Sequence, residues 1–214
     1  MNLGPKSKLI DMESYRRARL FKYFNQFEVP FSSMTANVDI GDFYERGRSK
    51  DYRFFAAFCL MITKSANEVP EFRQRIVGED LIEYERVYPS ITVLDQSNEL
   101  MFAKGTYSEQ FDQDYELLVN SIERAKKGLD QEIEDEKPYQ IFVSNFPWIS
   151  FSSVTHPYFS KNCSIPIFTT GKIFQEGNKK HIPIAVQTNH SLVDGFHIGK
   201  FYERLIVNLS NFGS

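Results

Sequence analysis

The sequence predicts an α+β fold in which a mixed β-sheet and packed helices form a sandwich. Predicted strands and helices follow one another without a regular βαβ rhythm, which favours this class over a doubly wound fold. The 214 residues are 42% hydrophobic and include 20 Phe, which is enough for a sizeable core. Because no repeat, low-complexity tract or linker interrupts the sequence, we expect residues 1–214 to form a single domain.

The N-terminal third is predicted to contain a helix, a strand and a buried helix, in that order. Asp11 can cap a helix over residues 12–25, where aromatic side chains supply apolar contacts. Partial alternation of apolar residues predicts a strand over residues 31–40. Residues 52–67 are so apolar that we expect a helix buried on most sides, which ends at Pro70.

The middle third is predicted to contain two strands, a helix and a loop. Strands at 81–87 and 91–94 are expected to pair with each other. Ser108 can cap a helix whose apolar residues recur at helical spacing over 111–125. The acidic stretch 130–137 is interpreted as a solvated loop.

In the C-terminal third the strand patterns resume and a helix closes the chain. Strands are predicted at 140–144 and 165–174. The turn residues 176–178 separate the second of these strands from another at 182–188. The last helix is predicted to begin at residue 195, with its apolar side chains on one face.

Composition and motifs exclude several functional classes. A net charge of −3 gives no nucleic-acid footprint. Two cysteines, Cys59 and Cys163, cannot build a disulfide framework, and Cys59 lies in an apolar run that predicts a buried thiol. No signal-peptide core or membrane-length apolar run is present, so we expect a cytoplasmic protein with no membrane partner. No metal-ligand spacing, phosphate loop or nucleophile elbow is found, and we expect no metal.

The segment from Gln187 to His197 carries the most informative pattern, since it places a histidine at the predicted end of a strand. His190 has Asp194 and Gly195 four and five residues later. Histidine can act as a base near neutral pH, so His190 is the candidate catalytic base. The alternative is a turn histidine that only bonds its neighbours. His197, at the start of the predicted helix, is interpreted as structural.

This segment resembles the active-site signature of chloramphenicol acetyltransferases, with Thr188 and Asn189 standing where the family has an aliphatic residue and a first histidine. Four further segments resemble the family in the same order along the chain. They are Tyr15–Phe21, Pro70–Arg73, Val143–Phe151 and Pro166–Thr169. The sequence is therefore identified as a member of this family, with the CoA-dependent acyltransferase fold.

The resemblance implies acetyl transfer from acetyl-CoA to a hydroxyl of chloramphenicol without an acyl-enzyme intermediate, and so antibiotic inactivation. His190 would be the general base, and Ser144 would donate a hydrogen bond to the tetrahedral oxyanion. Asp194 would pair with Arg17 to hold the geometry around the base. Thr169 would take part in the transition-state network through water. The family is a homotrimer, which implies active sites at subunit interfaces.

The departures from the family pattern fall on the acceptor side. Phe24 stands where the family has a pocket tyrosine, the pattern around Phe31 is altered, and a pocket leucine corresponds to His156. Trp148 is assigned to the coenzyme A arm by position. These changes leave three hypotheses open: transfer to chloramphenicol, transfer to another small hydroxyl acceptor, or a catalytically silent ligand-binding trimer. The related dihydrolipoamide acyltransferase core is disfavoured because no lipoyl module or linker is found.

Overall fold

The computed structural model describes residues 4–129, 137–158 and 160–213. Five α-helices are formed in this part of the chain: α1 Ala18–Phe24, α2 Gly41–Ser49, α3 Phe54–Asn67, α4 Phe111–Lys126 and α5 Gly195–Ser210. The strands are β1 Ser7–Leu9, β2 Phe31–Asp39, β3 Gln74–Val77, β4 Asp80–Tyr84, β5 Tyr88–Leu94, β6 Leu100–Lys104, β7 Gln140–Asn145, β8 Ile167–Thr170, β9 Phe174–Glu176 and β10 Lys179–Asn189. Residues Pro70–Arg73 form a short 3-10 helix.

The larger of two sheets has seven strands in the order β2-β10-β8-β7-β5-β6, with β9 paired to β10. Strand β7 runs parallel to both β5 and β8, whereas the remaining pairs are antiparallel. The smaller sheet has the order β1-β4-β3. The predicted α+β class with a mixed sheet is therefore confirmed.

The two faces of the larger sheet differ because successive strand residues point to opposite sides. Val143 and Phe168 on one face are fully buried in the core. On this side the ring of Phe168 packs on Phe201 of α5 at 4.8 Å between centroids, and also on Phe72. Ser144 and its neighbours on the other face are left to line a cavity. The alternation thus separates the core from the candidate site.

The predicted helix over residues 12–25 is only partly correct. Asp11 accepts bonds from the backbone of Glu13 and the hydroxyl of Ser14, and so closes a local turn instead of capping a helix. Helix α1 begins at Ala18. An aspartate can stabilise either arrangement through the same side-chain bonds, which is why the pattern did not distinguish them.

The predicted pairing of strands 81–87 and 91–94 is wrong. Strand β4 pairs with β1 and β3 in the small sheet, while β5 pairs with β6 and β7 in the large one. Strand β5 also begins at Tyr88, within the segment expected to turn. Ser108 is not the cap of α4, because Gln110 occupies that position.

The other predicted elements are confirmed with small shifts of their ends. Helix α3 is buried along most of its length, and Cys59 within it is fully buried. The turn between β9 and β10 contains Gly177 at φ +59, a conformation that glycine adopts without strain. Most of the predicted acidic loop lies outside the described residues. No helix of the described part of the chain is both long and apolar enough to cross a membrane.

Candidate active site

His190 lies just beyond the end of β10, in a turn that its own sequence closes. Its backbone N–H donates to the carbonyl of Pro30 at 2.7 Å, and its ring Nδ1 lies 3.2 Å from the carbonyl of Val193. A carbonyl can only accept, so Nδ1 carries the proton and Nε2 has a free lone pair. The ring of Phe24 stacks on the imidazole at 4.2 Å between centroids. We call residues 189–194 the His190 turn.

Asn189, which stands at the family's first histidine, has a structural role in this turn. Its side-chain amide donates to the carbonyls of Lys161 at 3.0 Å and Cys163 at 3.1 Å. Its oxygen accepts from the hydroxyl of Ser191 at 2.6 Å and from the backbone N–H of that residue. The buried amide therefore ties the loop at 161–163 to the His190 turn with its hydrogen bonds made.

Asp194 caps α5 and forms a direct ion pair with Arg17, a side chain that is only 12% exposed. Its carboxylate also accepts from the backbone N–H of Phe196 at 3.0 Å. Burial opposes ionisation of Asp194, but the hydrogen bond from Arg17 and the nearby His197 outweigh this effect and lower its pKa. The structure thus joins the segment before α1 to the turn that holds His190.

His197 extends this polar cluster to the 3-10 helix. The ring Nδ1 is 2.9 Å from a carboxylate oxygen of Asp194, and Nε2 is 3.3 Å from one of Glu71. Burial opposes ionisation of Glu71, yet the hydrogen bond from His197 outweighs it, so the pKa of Glu71 is lowered. His197 itself is 7% exposed.

Ser144 lies on the open face of the large sheet, away from the His190 turn. Its hydroxyl is 2.9 Å from that of Thr92 on the neighbouring strand β5, and either group can be the donor. Both residues line a cavity of about 720 Å³, which we call the sheet cavity. Its wall is largely aromatic and includes Phe102, Phe142, Phe146 and Tyr158.

His156 brings a polar group to the wall of the same cavity. Its Nε2 is 2.7 Å from the hydroxyl of Thr169, and burial lowers the pKa of the ring, which favours a neutral imidazole. The side chain of Gln187 holds the backbone of residue 156 at both ends, accepting from its N–H at 2.7 Å and donating to its carbonyl at 2.9 Å. Two sequence-predicted residues, His156 and Thr169, are therefore in direct contact.

Phe31 lies beside this region and not beside the base. Its ring stacks on Tyr158 at 3.9 Å between centroids, and both rings line an adjoining cleft of about 620 Å³ that His156 also borders. Burial raises the pKa of the Tyr158 phenol. Phe24, in contrast, contacts His190. The predicted acceptor residues thus fall into two separate places.

The base and the predicted oxyanion donor do not meet within one chain. Ser144 is in register with Thr169, which is in register with Ala185, five residues before His190 on β10. At about 3.3 Å per residue along a strand and about 4.8 Å between strands, His190 and Ser144 lie on the order of 20 Å apart. Their hydroxyl and imidazole can act on one substrate only if they come from different chains.

Trp148 follows β7 on an exposed loop and is 65% exposed, as is its neighbour Ile149 at 57%. The indole is therefore free to meet a ligand or another chain. Cys59 and Cys163 are free thiols. In the described ranges, no group of three or more His, Cys, Asp or Glu side chains is arranged to hold a metal ion.

Comparison with known proteins agrees with this geometry. A family model described as chloramphenicol acetyltransferase matches residues 6–206. The chain belongs to this family. It is 31% identical to the chloramphenicol acetyltransferase of Clostridium perfringens over 212 residues, covering 97% of this chain and 96% of that protein. It is 26% identical to the chloramphenicol acetyltransferase of Escherichia coli over 198 residues, covering 92% and 90%.

Solved structures share the fold. A chloramphenicol acetyltransferase superposes with a TM-score of 0.86 at 24% identity, covering 95% of this chain and all (100%) of that one. A probable dihydrolipoamide acetyltransferase from Listeria monocytogenes superposes with a TM-score of 0.67 at 16% identity, covering 99% and 98%. The resemblance and the fold predicted from the sequence are thereby confirmed.

Three contributors to the site carried no assigned role in the sequence analysis: Glu71, Thr92 and Gln187. Glu71 and Gln187 lie within segments that resemble the family, but their contacts are with residues distant in sequence. For His197, the spacing from Asp194 is that of a capping box, and this spacing could have predicted their mutual bonds. Nothing in the alternation around Thr92 predicts its contact with Ser144.

Proposed function

We propose that this protein transfers the acetyl group of acetyl-CoA to a hydroxyl of chloramphenicol. The observation that carries the proposal is the contact between His190 Nδ1 and the carbonyl of Val193 at 3.2 Å, which leaves Nε2 free to accept a proton. Family membership supplies the reaction class. Each member of the proposed site belongs to residues 1–214, which we propose act as one acetyltransferase domain.

In the proposed reaction, Nε2 of His190 takes the proton of the acceptor hydroxyl as its oxygen attacks the thioester carbonyl. The tetrahedral oxyanion accepts a hydrogen bond from Ser144, whose hydroxyl is oriented by Thr92. The intermediate then releases coenzyme A as its thiol, with the proton returned by His190, and the acetyl ester leaves. Arg17 and Asp194 hold the His190 turn and take no part in proton transfer.

A trimer with sites between chains follows from the separation of the two groups. The surface around His190 is also unusually apolar for a solvent-facing rim. Its exposed side chains are Tyr23 at 56%, Phe27 at 41%, Val29 at 73% and Phe196 at 66%. Burial of this rim against the sheet cavity of a neighbouring chain would remove apolar surface from water and complete the site.

In this arrangement Phe31, His156 and Thr169 would contact the acceptor from one chain, while Phe24 would support His190 in the other. We assign Trp148 to the coenzyme A side because its indole is exposed beyond β7. A cytoplasmic location agrees with the two free thiols.

One observation favours a second acceptor hypothesis. His156 puts a polar ring into a cavity that is otherwise mainly aromatic, at the position where the family pattern has leucine. An added polar group favours acceptors that can hydrogen-bond to it. Another small hydroxyl compound is therefore the alternative substrate.

The test is thiol release from acetyl-CoA by the purified protein with chloramphenicol, followed with a thiol reagent, with His190→Ala as the control. Release that depends on both chloramphenicol and His190 is the expected result. Release only with other hydroxyl acceptors would transfer the proposal to that substrate class. A folded protein that binds chloramphenicol but releases no thiol with any acceptor would instead be a silent binder.

A further inference from the structure

One peptide group links His190 to His197. The carbonyl of Val193 and the N–H of Asp194 belong to the same planar unit. Its carbonyl accepts from Nδ1 of His190 at 3.2 Å, and its N–H lies 3.2 Å from Nδ1 of His197. Any rotation of this peptide moves the carbonyl that fixes the tautomer of His190.

His197 binds residue 194 in either of its possible proton arrangements. With Nδ1 bare, the ring accepts the N–H of Asp194; with Nδ1 protonated, it donates to the carboxylate at 2.9 Å. In both cases Nε2 carries a proton that points to Glu71 at 3.3 Å. Glu71 therefore fixes the ring orientation from its far side.

The anchor behind His197 is rigid and buried. Glu71 belongs to the 3-10 helix that follows α3, and its neighbour Phe72 is fully buried. The depressed pKa of Glu71, in which the bond from His197 outweighs burial, means that this carboxylate is ionised at neutral pH. Gln74, just after this helix, accepts from the hydroxyl of Tyr15 at 2.7 Å and so links it to the segment that carries Arg17.

We propose that His197, held by Glu71, is a positioning residue that sets the tautomer of His190 through the peptide between Val193 and Asp194. This inference rests on the proposed role of His190 as base. It extends the site from the Arg17–Asp194 ion pair to a second, independent constraint on the same turn, made by side chains that never touch the substrate.

A matched pair of variants separates the two ends of the ring. In His197→Asn the amide takes the place of Nδ1 and keeps the bond to residue 194, whereas in His197→Gln it takes the place of Nε2 and keeps only the bond to Glu71. We expect kcat of His197→Gln to fall about ten- to a hundredfold, with the KM for acetyl-CoA unchanged, because the base is misoriented. His197→Asn should retain most of its activity. His181→Gln, at the opposite end of β10, is the control and should match the wild type.

The decisive readout is the tautomer of His190, observed by ¹⁵N NMR of protein labelled in its 4 histidines. We expect one Nδ1–H form in the wild type and in His197→Asn, and a mixture of tautomers in His197→Gln. Wild-type kcat and an unchanged His190 spectrum in His197→Gln would overturn the proposal. An equal loss in both variants with an unchanged spectrum would also overturn it, since His197 would then serve only as a helix cap.

If His197→Gln does not fold, Glu71→Gln decides, because it removes the charge behind the ring and keeps its shape. A tautomer mixture with a reduced kcat supports the proposal, and an unchanged spectrum rejects it. If the wild type itself shows no turnover with any acceptor, the proposed function fails, but the His190 spectrum still tests the positioning of this ring.

Discussion

The His190 turn and the sheet cavity reach their geometry in different ways. The turn is held by short-range bonds among residues 189–197, to which Arg17 and Glu71 are added from outside. The sheet cavity is assembled from four strands and a loop, and its key contacts join Ser144 to Thr92 and His156 to Thr169. The turn is therefore a preorganised base, whereas the cavity is a surface whose chemistry depends on the register of the sheet.

The comparison also explains why neither region is sufficient alone. The turn has a free base and an apolar rim but no oxyanion donor, while the cavity has a hydroxyl donor and room for a small molecule but no base. Since they lie on the order of 20 Å apart in one chain, we expect substitutions in the two regions to have separable effects.

The largest effect is expected from the turn. His190→Ala should reduce kcat by about 10²–10⁴, because the acceptor hydroxyl loses its general base. The folded state should be preserved, since the main anchors of the turn are Asn189 and Asp194. Thiol release and thermal unfolding measure the two quantities. Activity within a few-fold of the wild type would mean that another group is the base.

The matching change in the cavity is Ser144→Ala. We expect kcat to fall by about 10²–10³, with little change in either KM, because the lost bond forms mainly in the transition state. Thr92→Ala serves as the comparison, since it removes only the partner that orients Ser144, and its effect should be smaller. Equal effects of the two substitutions would argue against a special role for Ser144.

A smaller change is expected in acceptor preference. His156→Leu should raise kcat/KM for chloramphenicol about 10- to 100-fold relative to more polar hydroxyl acceptors, because it makes the cavity wall apolar. The KM for acetyl-CoA should stay constant. His156→Gln, which keeps a polar group near Thr169, should retain the wild-type preference. If both variants have the preference of the wild type, residue 156 does not contact the acceptor.

Mixed trimers test directly whether the two regions act across chains. When His190→Ala and Ser144→Ala chains are refolded together in equal amounts, about a quarter of the sites should combine an intact base with an intact hydroxyl. The specific activity should recover to about a quarter of the wild-type value. Trimers of each variant that are mixed after folding provide the control. No recovery on refolding would contradict a shared site.

The smallest effect concerns stability in acid. The folded pKa of Asp194 lies below its unfolded value, so its contribution is complete above that unfolded pKa and is lost as pH falls through the folded one. The Tm advantage of the wild type over Asp194→Asn should therefore shrink by a few degrees between about pH 5 and pH 3. A constant difference across this range would show that the Arg17 pair does not contribute to stability through charge.

Much of the fold could be predicted because local patterns dominate it. The apolar run of α3 and the turn signal before β10 each depend on residues close in sequence, and both elements are present. The pairing of β5 was mispredicted because alternation identifies a strand but not its partner. Asp11 was misassigned because a turn and a helix cap use the same side-chain bonds.

The sequence by itself determined the His190 turn, since the base and its cap lie within one contiguous segment and need only local bonds. The tertiary structure alone decided that Glu71 supports His197, that Thr169 contacts His156, and that Ser144 lies far from the base. Such contacts depend on which strands pair and in what register. A side-chain pattern encodes this information only through the packing of the whole chain.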